Sequence, residues 1–220
     1  MIKLDKMSVR EFADKSNIEI ISEFMKVNNG YITSKQISEL GIHRMYLKIM
    51  KDKGMIKKVA NGIYVMSNRE IDNYFVCSME LPNIVYSHMT GLFLHGYLKK
   101  DDARCDVTVC NNYYNYKLKK YNVFYVNRDI YNLGLTEVKT KDGNVVKVYD
   151  VERCICDVIK ARKRMDLDMI KYSIKKYLKS EKRNLKKLFE YSEKLRIKSE
   201  AMDIVCLLYD GKLNDILKEV

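Results

Sequence analysis

Apolar residues at Ile18, Ile21, Phe24 and Met25 recur at helical spacing, and Asn29-Gly30 follows with residues that tolerate left-handed backbone. One greasy stripe closed by such a pair predicts a helix over residues 18–27. Thr33 or Ser34 stands where an N-cap belongs, Ile37 and Leu40 face inward from a short second helix, and Gly41 supplies a sharp turn into a third. In that third segment Leu47 and Met50 are spaced for burial, whereas Arg44, Lys48 and Lys51 fall at i, i+4 and i+7 on another face. After Gly54 the pattern changes. Residues Met55–Val59 and Ile63–Val65 are strand-like and flank Asn61-Gly62, the strongest short hairpin signal.

The middle of the chain mixes periods. Tyr86–Leu98 reads as a helix, whereas Asp106–Cys110, Val123–Val126, Thr136–Lys139 and Val145–Tyr149 read as strands, the last two joined by a hairpin at Asp142-Gly143. Asp150 then caps an amphipathic helix carrying Val151, Cys154, Ile155, Val158 and Ile159. Three more helical runs follow, around Ile170–Leu178, Leu185–Phe189 and Ile204–Leu208. The expected class is therefore α+β: an N-terminal winged helix-turn-helix over residues 1–67, then a mixed α/β domain over residues 68–220 that ends in a helical bundle. No Pro-rich or Gly/Ser-rich linker and no internal repeat marks the boundary, which rests on the change of pattern alone.

Composition narrows the classes. With 220 residues, 47% hydrophobic and 32% charged, the chain can bury a core of its own, and one Pro with nine Gly excludes collagen-like or low-complexity material. The six cysteines, Cys77, Cys105, Cys110, Cys154, Cys156 and Cys206, include no C-x-x-C pair and read as reduced thiols rather than a disulfide framework. The first residues are charged throughout, with no apolar leader core, and no stretch reaches the roughly 18 apolar residues of a membrane span, so a cytoplasmic protein with no membrane partner is expected. Net charge is +12, and it is uneven. By segment it is about +5 over residues 1–66, about +1 over 67–150, about +9 over 151–198 and about −3 thereafter.

Helix, turn, helix and hairpin with cations on the third helix is the arrangement that enters a DNA major groove. Arg44 could grip a guanine edge, while Lys48, Lys51, Lys57 and Lys58 neutralise phosphates, with His43, Tyr46 and Asn61 as secondary contacts. Thr33, Ser34 and Lys35 begin the second helix, where hydroxyls and open N–H groups suit a phosphate oxygen. The competing reading is a solvated, cationic helical domain that binds protein. A second basic region comprises Arg162, Lys163, Arg164, Lys175, Lys176, Lys182, Arg183, Lys186 and Lys187, and serves as plain soluble surface, extra DNA contact or a docking face.

An enzyme would need more. Asp106 with Glu137 and Lys139 could hold the divalent metal of a nuclease, although E-x-K on a strand is ordinarily wet-face decoration. His88 and His95 lack an acidic companion at ligand spacing, and neither cysteine pair, Cys105/Cys110 or Cys154/Cys156, has zinc-site spacing. With no Gly-rich phosphate loop or G-x-S-x-G elbow either, the expectation is no catalysis, no metal and no cofactor.

Three stretches occur in order along the chain: Gly62-Ile-Tyr64, then Tyr86-Ser-His-Met-Thr-Gly-Leu-Phe-Leu-His-Gly96, then Asp150-Val-Glu-Arg-Cys-Ile-Cys-Asp157. Through them the chain resembles the AbiEi antitoxins, the antitoxin half of bacterial type IV toxin–antitoxin systems of abortive phage infection. Gly91 and Cys154 depart from the family's usual Ala and Thr. The resemblance implies that the N-terminal winged helix represses its own operon by binding inverted repeats in double-stranded DNA. It further implies that the C-terminal domain counteracts a cognate nucleotidyltransferase toxin without forming a stable complex with it. Two other readings stay open, a stand-alone regulator whose second domain senses a ligand or partner, and the nuclease.

Overall fold

A computed structural model describes residues 16–99 and 104–209, and it is an α+β protein. The described residues divide into two compact units, one formed by those up to residue 82 with 141–144 and the other by those from 83 to 140 with 145–209.

In the first unit, local signals set the element ends. Ser16 caps α1 (Asn17–Val27) through a capping box in which Glu19 reaches back to the Ser16 N–H at 2.8 Å. The stripe Ile21, Phe24 and Met25 is buried against Ile37, Leu47, Met50 and Ile56. Asn29 and Gly30 take positive φ and turn the chain into β1 (Tyr31–Thr33). Next come α2 (Ser34–Glu39), α3 (Met45–Asp52), β2 (Ile56–Ala60) and β3 (Ile63–Met66), and the strands form an antiparallel sheet in the order β1-β3-β2. The sequence reading anticipated all of these except β1, whose three residues are too few for an alternation to show.

The expected boundary at residue 67 falls inside this unit. Asp72 caps α4 (Asn73–Glu80), and Val76 of that helix joins Tyr31, Ile63 and Val65 in one cluster. Tyr31 Oη also accepts from the Asp72 N–H at 2.8 Å. Residues 141–144 belong here because Asn144 Nδ2 donates to Asp72 and Asn29 Nδ2 donates to Asn144. A polar cluster, which no hydrophobic periodicity reports, extends the unit to Pro82.

The second unit is built on a five-stranded sheet, β6-β5-β4-β8-β7, whose strands are β4 (Val85–Tyr86), β5 (Asp106–Cys110), β6 (Asn122–Val126), β7 (Leu135–Lys139) and β8 (Val145–Tyr149). The pairs β4–β8 and β5–β6 are parallel, while β4–β5 and β7–β8 are antiparallel. The single helix expected over residues 86–98 is corrected to β4 followed by α5 (His88–Leu94), because Tyr86 pairs with Val107 and Val148 and His88 takes φ 49°. A short α6 (Arg128–Tyr131) precedes β7. The helical part comprises α7 (Val151–Ala161), α8 (Leu167–Leu178), α9 (Leu185–Lys194) and α10 (Lys198–Leu208). Its core runs from Val85 and Leu92 through Ile155, Val158 and Ile174 to Leu188 and Val205. Among the described residues no helix is long and apolar enough to cross a membrane, and all six cysteines are free thiols.

Helix α7 is buried on almost every side, including the charged residues Glu152, Arg153 and Asp157. Its close approach to α5 depends on a glycine, since a Cβ at Gly91 would collide with Cys154 Sγ. The two positions at which the AbiEi resemblance departs are therefore in contact, and the bulky sulfur occupies the space that the missing methyl leaves.

Alanine is the better helix former by about 1 kcal/mol, but overpacking a core costs about 1–3 kcal/mol, so Gly91→Ala should be destabilising. With Cys154→Ala also present the collision disappears and the penalty should largely reverse. Urea melts of the two single variants and the double variant measure this coupling. Effects additive to within about 0.5 kcal/mol would show that the two side chains do not compete for one space.

Candidate nucleic-acid interface

The amphipathic logic of α3 decides which way its cations face. Leu47 and Met50 are 2% and 1% exposed in the core of the first unit, so Arg44, Lys48 and Lys51 are left on the solvent side, all exposed. Arg44 is the N-cap residue, and its Nε donates to Ser38 Oγ at 3.0 Å, which fixes the guanidinium across the turn between α2 and α3. His43 caps the same helix by accepting the Met45 N–H on Nδ1 at 3.2 Å, so its remaining ring proton sits on Nε2. Tyr46 is half-buried and packs on the core. Lys57 and Lys58 are exposed on β2, an outer strand of the sheet, and Asn61 is exposed at the hairpin tip.

The start of α2 departs from expectation. Thr33 is the N-cap, its Oγ1 accepting the Gln36 N–H at 3.1 Å and donating to Gln36 Oε1 at 3.0 Å. The Ser34 N–H donates to Gly62 O at 2.8 Å. Capping thus engages the Thr33 hydroxyl and tertiary pairing the Ser34 N–H, while the Lys35 ammonium faces solvent, loosely paired with Glu39 at 3.7 Å.

The second basic region separates into two sets. Lys187 bridges Asp150 at 3.0 Å and Glu152 at 3.4 Å, and although partial burial pulls its pKa down, those carboxylates hold it above the usual lysine range. Arg162 donates to Ile159 O, Arg183 to Leu178 O and Lys176 to Gly96 O. These four cations clamp helix ends and loops in place. Lys163, Lys175, Lys182 and Lys186 are exposed, and Arg164 lies over the Phe124 ring at 5.4 Å.

The nuclease constellation does not assemble. Asp106 is on β5 and Glu137 and Lys139 are on β7, with β4 and β8 lying between, and three steps of about 4.8 Å put the carboxylates roughly 14 Å apart. One metal cannot join them. Asp106 is 1% exposed and structural, accepting the Met89 N–H at 3.0 Å and the Asn122 amide at 3.1 Å. Among the described residues no group of three His, Cys, Asp or Glu side chains is placed to hold a metal. His95 donates from Nε2 to Tyr149 O at 2.8 Å.

Sequence reasoning passed over the stretch Tyr113–Tyr125. Tyr114, Tyr116 and Tyr125 are strongly exposed there, beside exposed Lys119 and Lys120. The available signal was five tyrosines, three lysines and one arginine with no acidic residue over residues 111–128. His88, which lacks an acidic companion in the sequence, is buried and stacked on Phe124 with ring centroids 3.5 Å apart.

No family model matches the chain, and no curated protein matches it. Among solved structures, the RV2827C protein from Mycobacterium tuberculosis is similar, with 7% sequence identity and a TM-score of 0.46 over 88% of this chain and 81% of that one.

His88 generates a pH dependence. Burial, then the Arg153 and Arg164 charges, hold its pKa well below the ordinary imidazole value. Ser87 Oγ, which accepts from Thr108 at 2.8 Å, lies 2.9 Å from His88 Nδ1 and gives the neutral folded ring a hydrogen-bond partner. A folded pKa below the unfolded one contributes stability that is complete above about pH 6.5 and is lost as pH falls below it, at up to about 1.4 kcal/mol per pH unit. Asn accepts positive φ, so His88→Asn should fold and have a flatter profile between pH 7.5 and 5. Denaturation midpoints with parallel slopes for the two proteins would rule out a neutral buried His88.

Proposed function

We propose that the first unit is a winged helix-turn-helix that binds duplex DNA, with α3 in the major groove and the β2–β3 hairpin as the wing. On this reading the chain is an autorepressor of its own operon, binding inverted repeats, and the antitoxin of a type IV system that counteracts a nucleotidyltransferase toxin. The observation that carries the DNA half is the segregation on α3 and β2: Leu47 and Met50 in the core, with Arg44, Lys48, Lys51, Lys57 and Lys58 in solvent. A helix free to pack on anything needs no such one-sided cationic rim, and a groove lined by phosphates rewards one.

Roles divide by side-chain chemistry. Arg44 is held by Ser38 near the helix start, where recognition helices meet base edges, and its planar fork suits the O6 and N7 of guanine. The lysines act as point charges on phosphates and set the docking register. The antitoxin half is supported by the three stretches shared with the AbiEi family. Within the second basic region it falls to Lys163, Arg164, Lys175, Lys182 and Lys186, since Arg162, Lys176, Arg183 and Lys187 are engaged internally.

A stand-alone regulator with a ligand-sensing second unit is favoured by one observation, a cavity of about 380 Å³ in that unit. Growth rescue separates the two: an antitoxin restores growth to cells expressing the nucleotidyltransferase encoded beside it, and a plain regulator does not.

Gel shifts on the chain's own upstream DNA test the head. Arg44→Ala should weaken operator binding by about 1–3 kcal/mol and relax sequence preference, whereas Lys48→Ala should weaken all sequences alike and lower the salt slope by about 1. Unchanged affinity in both variants would overturn the head-domain assignment.

A further inference from the structure

Beyond the duplex-binding face, which it does not depend on, the second unit carries a surface of different chemistry. The exposed rings of Tyr114, Tyr116 and Tyr125 are 82%, 69% and 53% accessible. Folding alone gives little reason to leave three large amphipathic rings in water on one short stretch of chain. Tyr116 begins the 3-10 turn Tyr116–Lys120, which presents Lys119 and Lys120 to solvent, and Tyr125 lies on β6, an outer strand of the sheet. No acidic residue occurs from 111 to 128.

The cavity adjoins the same strand. Asn122, Val123 and Phe124 of β6 line it, together with Arg164 and the carboxylates of Asp106 and Asp166. Its 380 Å³ lies within the range of about 300–1,000 Å³ typical of small-ligand sites. Buried Asp106 orients the Asn122 amide by accepting from its Nδ2, and Arg164 brings a cation over the Phe124 ring.

We propose that β6 and the turn before it form a binding site for single-stranded nucleic acid, with the tyrosines as stacking platforms and Lys119 and Lys120 on the phosphates. Rings interleaved with lysines suit a single strand, because every base has a π-face while a duplex keeps its faces stacked inside. An acidic protein would use the lysines and leave the stacking faces without a role.

The test is fluorescence anisotropy of the full-length protein with labelled oligouridylate and oligothymidylate of about 15 nucleotides, a length that spans such a site. A hairpin duplex and polyglutamate serve as competitors. Replacing Tyr114, Tyr116 and Tyr125 by Ala should weaken binding at least fivefold per ring with an unchanged salt slope, and Tyr→Phe at the same positions should retain it. Lys119→Gln with Lys120→Gln should lower the salt slope by about 1.4, near 0.7 per phosphate contact on a single strand. The relative affinity of the two oligonucleotides tells RNA from single-stranded DNA. Arg44→Ala with Lys48→Ala should leave this binding intact, which separates it from the head. Binding that survives loss of all three rings within twofold, that the duplex or polyglutamate displaces equally well, or that disappears with the Arg44 and Lys48 changes would overturn the proposal.

Discussion

A guanidinium with no access to water organises the second unit. Arg153 is 0% exposed, and moving its charge out of solvent carries a penalty of several kcal/mol. Four interactions offset it: Nε donates to Asp157 Oδ1 at 2.9 Å, Nη1 donates to Ile130 O at 2.7 Å and Leu133 O at 3.0 Å, and the cation lies 4.3 Å from the centre of the Tyr149 ring. One side chain thus ties α7 to the α6–β7 connection and to the end of β8. The connection must come close, and Gly134 permits it, because a Cβ there would meet Arg153 Cβ at 2.8 Å and the Asp150 carboxylate at 3.1 Å. Arg153 Nη2 and Asp157 Oδ2 are buried without a partner, and burial lifts the Asp157 carboxyl to about 6 despite the adjacent cation. The pair consequently gains little as an isolated interaction. Its effect is to select one arrangement of α7, because losing either partner strands a buried charge at a cost of about 3–5 kcal/mol.

That arrangement decides which cations are available. Asp150 and Glu152, at the start of α7, engage Lys187 of α9, and Tyr177 donates to Glu152 while accepting the Asn184 N–H. A count of basic residues from 160 to 198 overstates the charge offered to a partner, since a good part of it is neutralised or spent on carbonyls inside the unit. The reverse holds from 111 to 128, where the modest charge of the surrounding segment conceals a stretch with no acidic residue at all.

How much was legible follows from the range of each signal. The Asn29-Gly30 end of α1, the cap of α2, the two faces of α3, the Asn61-Gly62 hairpin and the Asp150 cap of α7 are written within a few residues each, and they stand where the local pattern puts them. Strands β1 and β4 have three and two residues, and their pairing partners lie some twenty or more residues away, so nothing local announces them. Thr33 and Ser34 show a different failure. A hydroxyl at a helix start suits a phosphate and suits the helix's own N–H groups equally well, and here the intramolecular partner, present at no entropic cost of association, took the Thr33 hydroxyl, while Gly62 O took the Ser34 N–H. Asp106 and Glu137 looked like a pair only because strand order is invisible to spacing; two intervening strands separate them.

The two proposed nucleic-acid surfaces use the same charge with opposite partners for it. On α3 the apolar residues turn inward and the cations project alone, which suits a duplex whose bases are already stacked and whose outside is phosphate and groove edge. Around β6 the large apolar rings turn outward with the cations, and exposing them forfeits burial that would contribute about 1.5–3 kcal/mol for each side chain of that size. The core of this unit closes without them, so on the proposed reading a ligand whose own aromatic faces need covering would recover that burial. A chain with both surfaces can tell paired from unpaired nucleic acid by the direction in which each set of apolar side chains points.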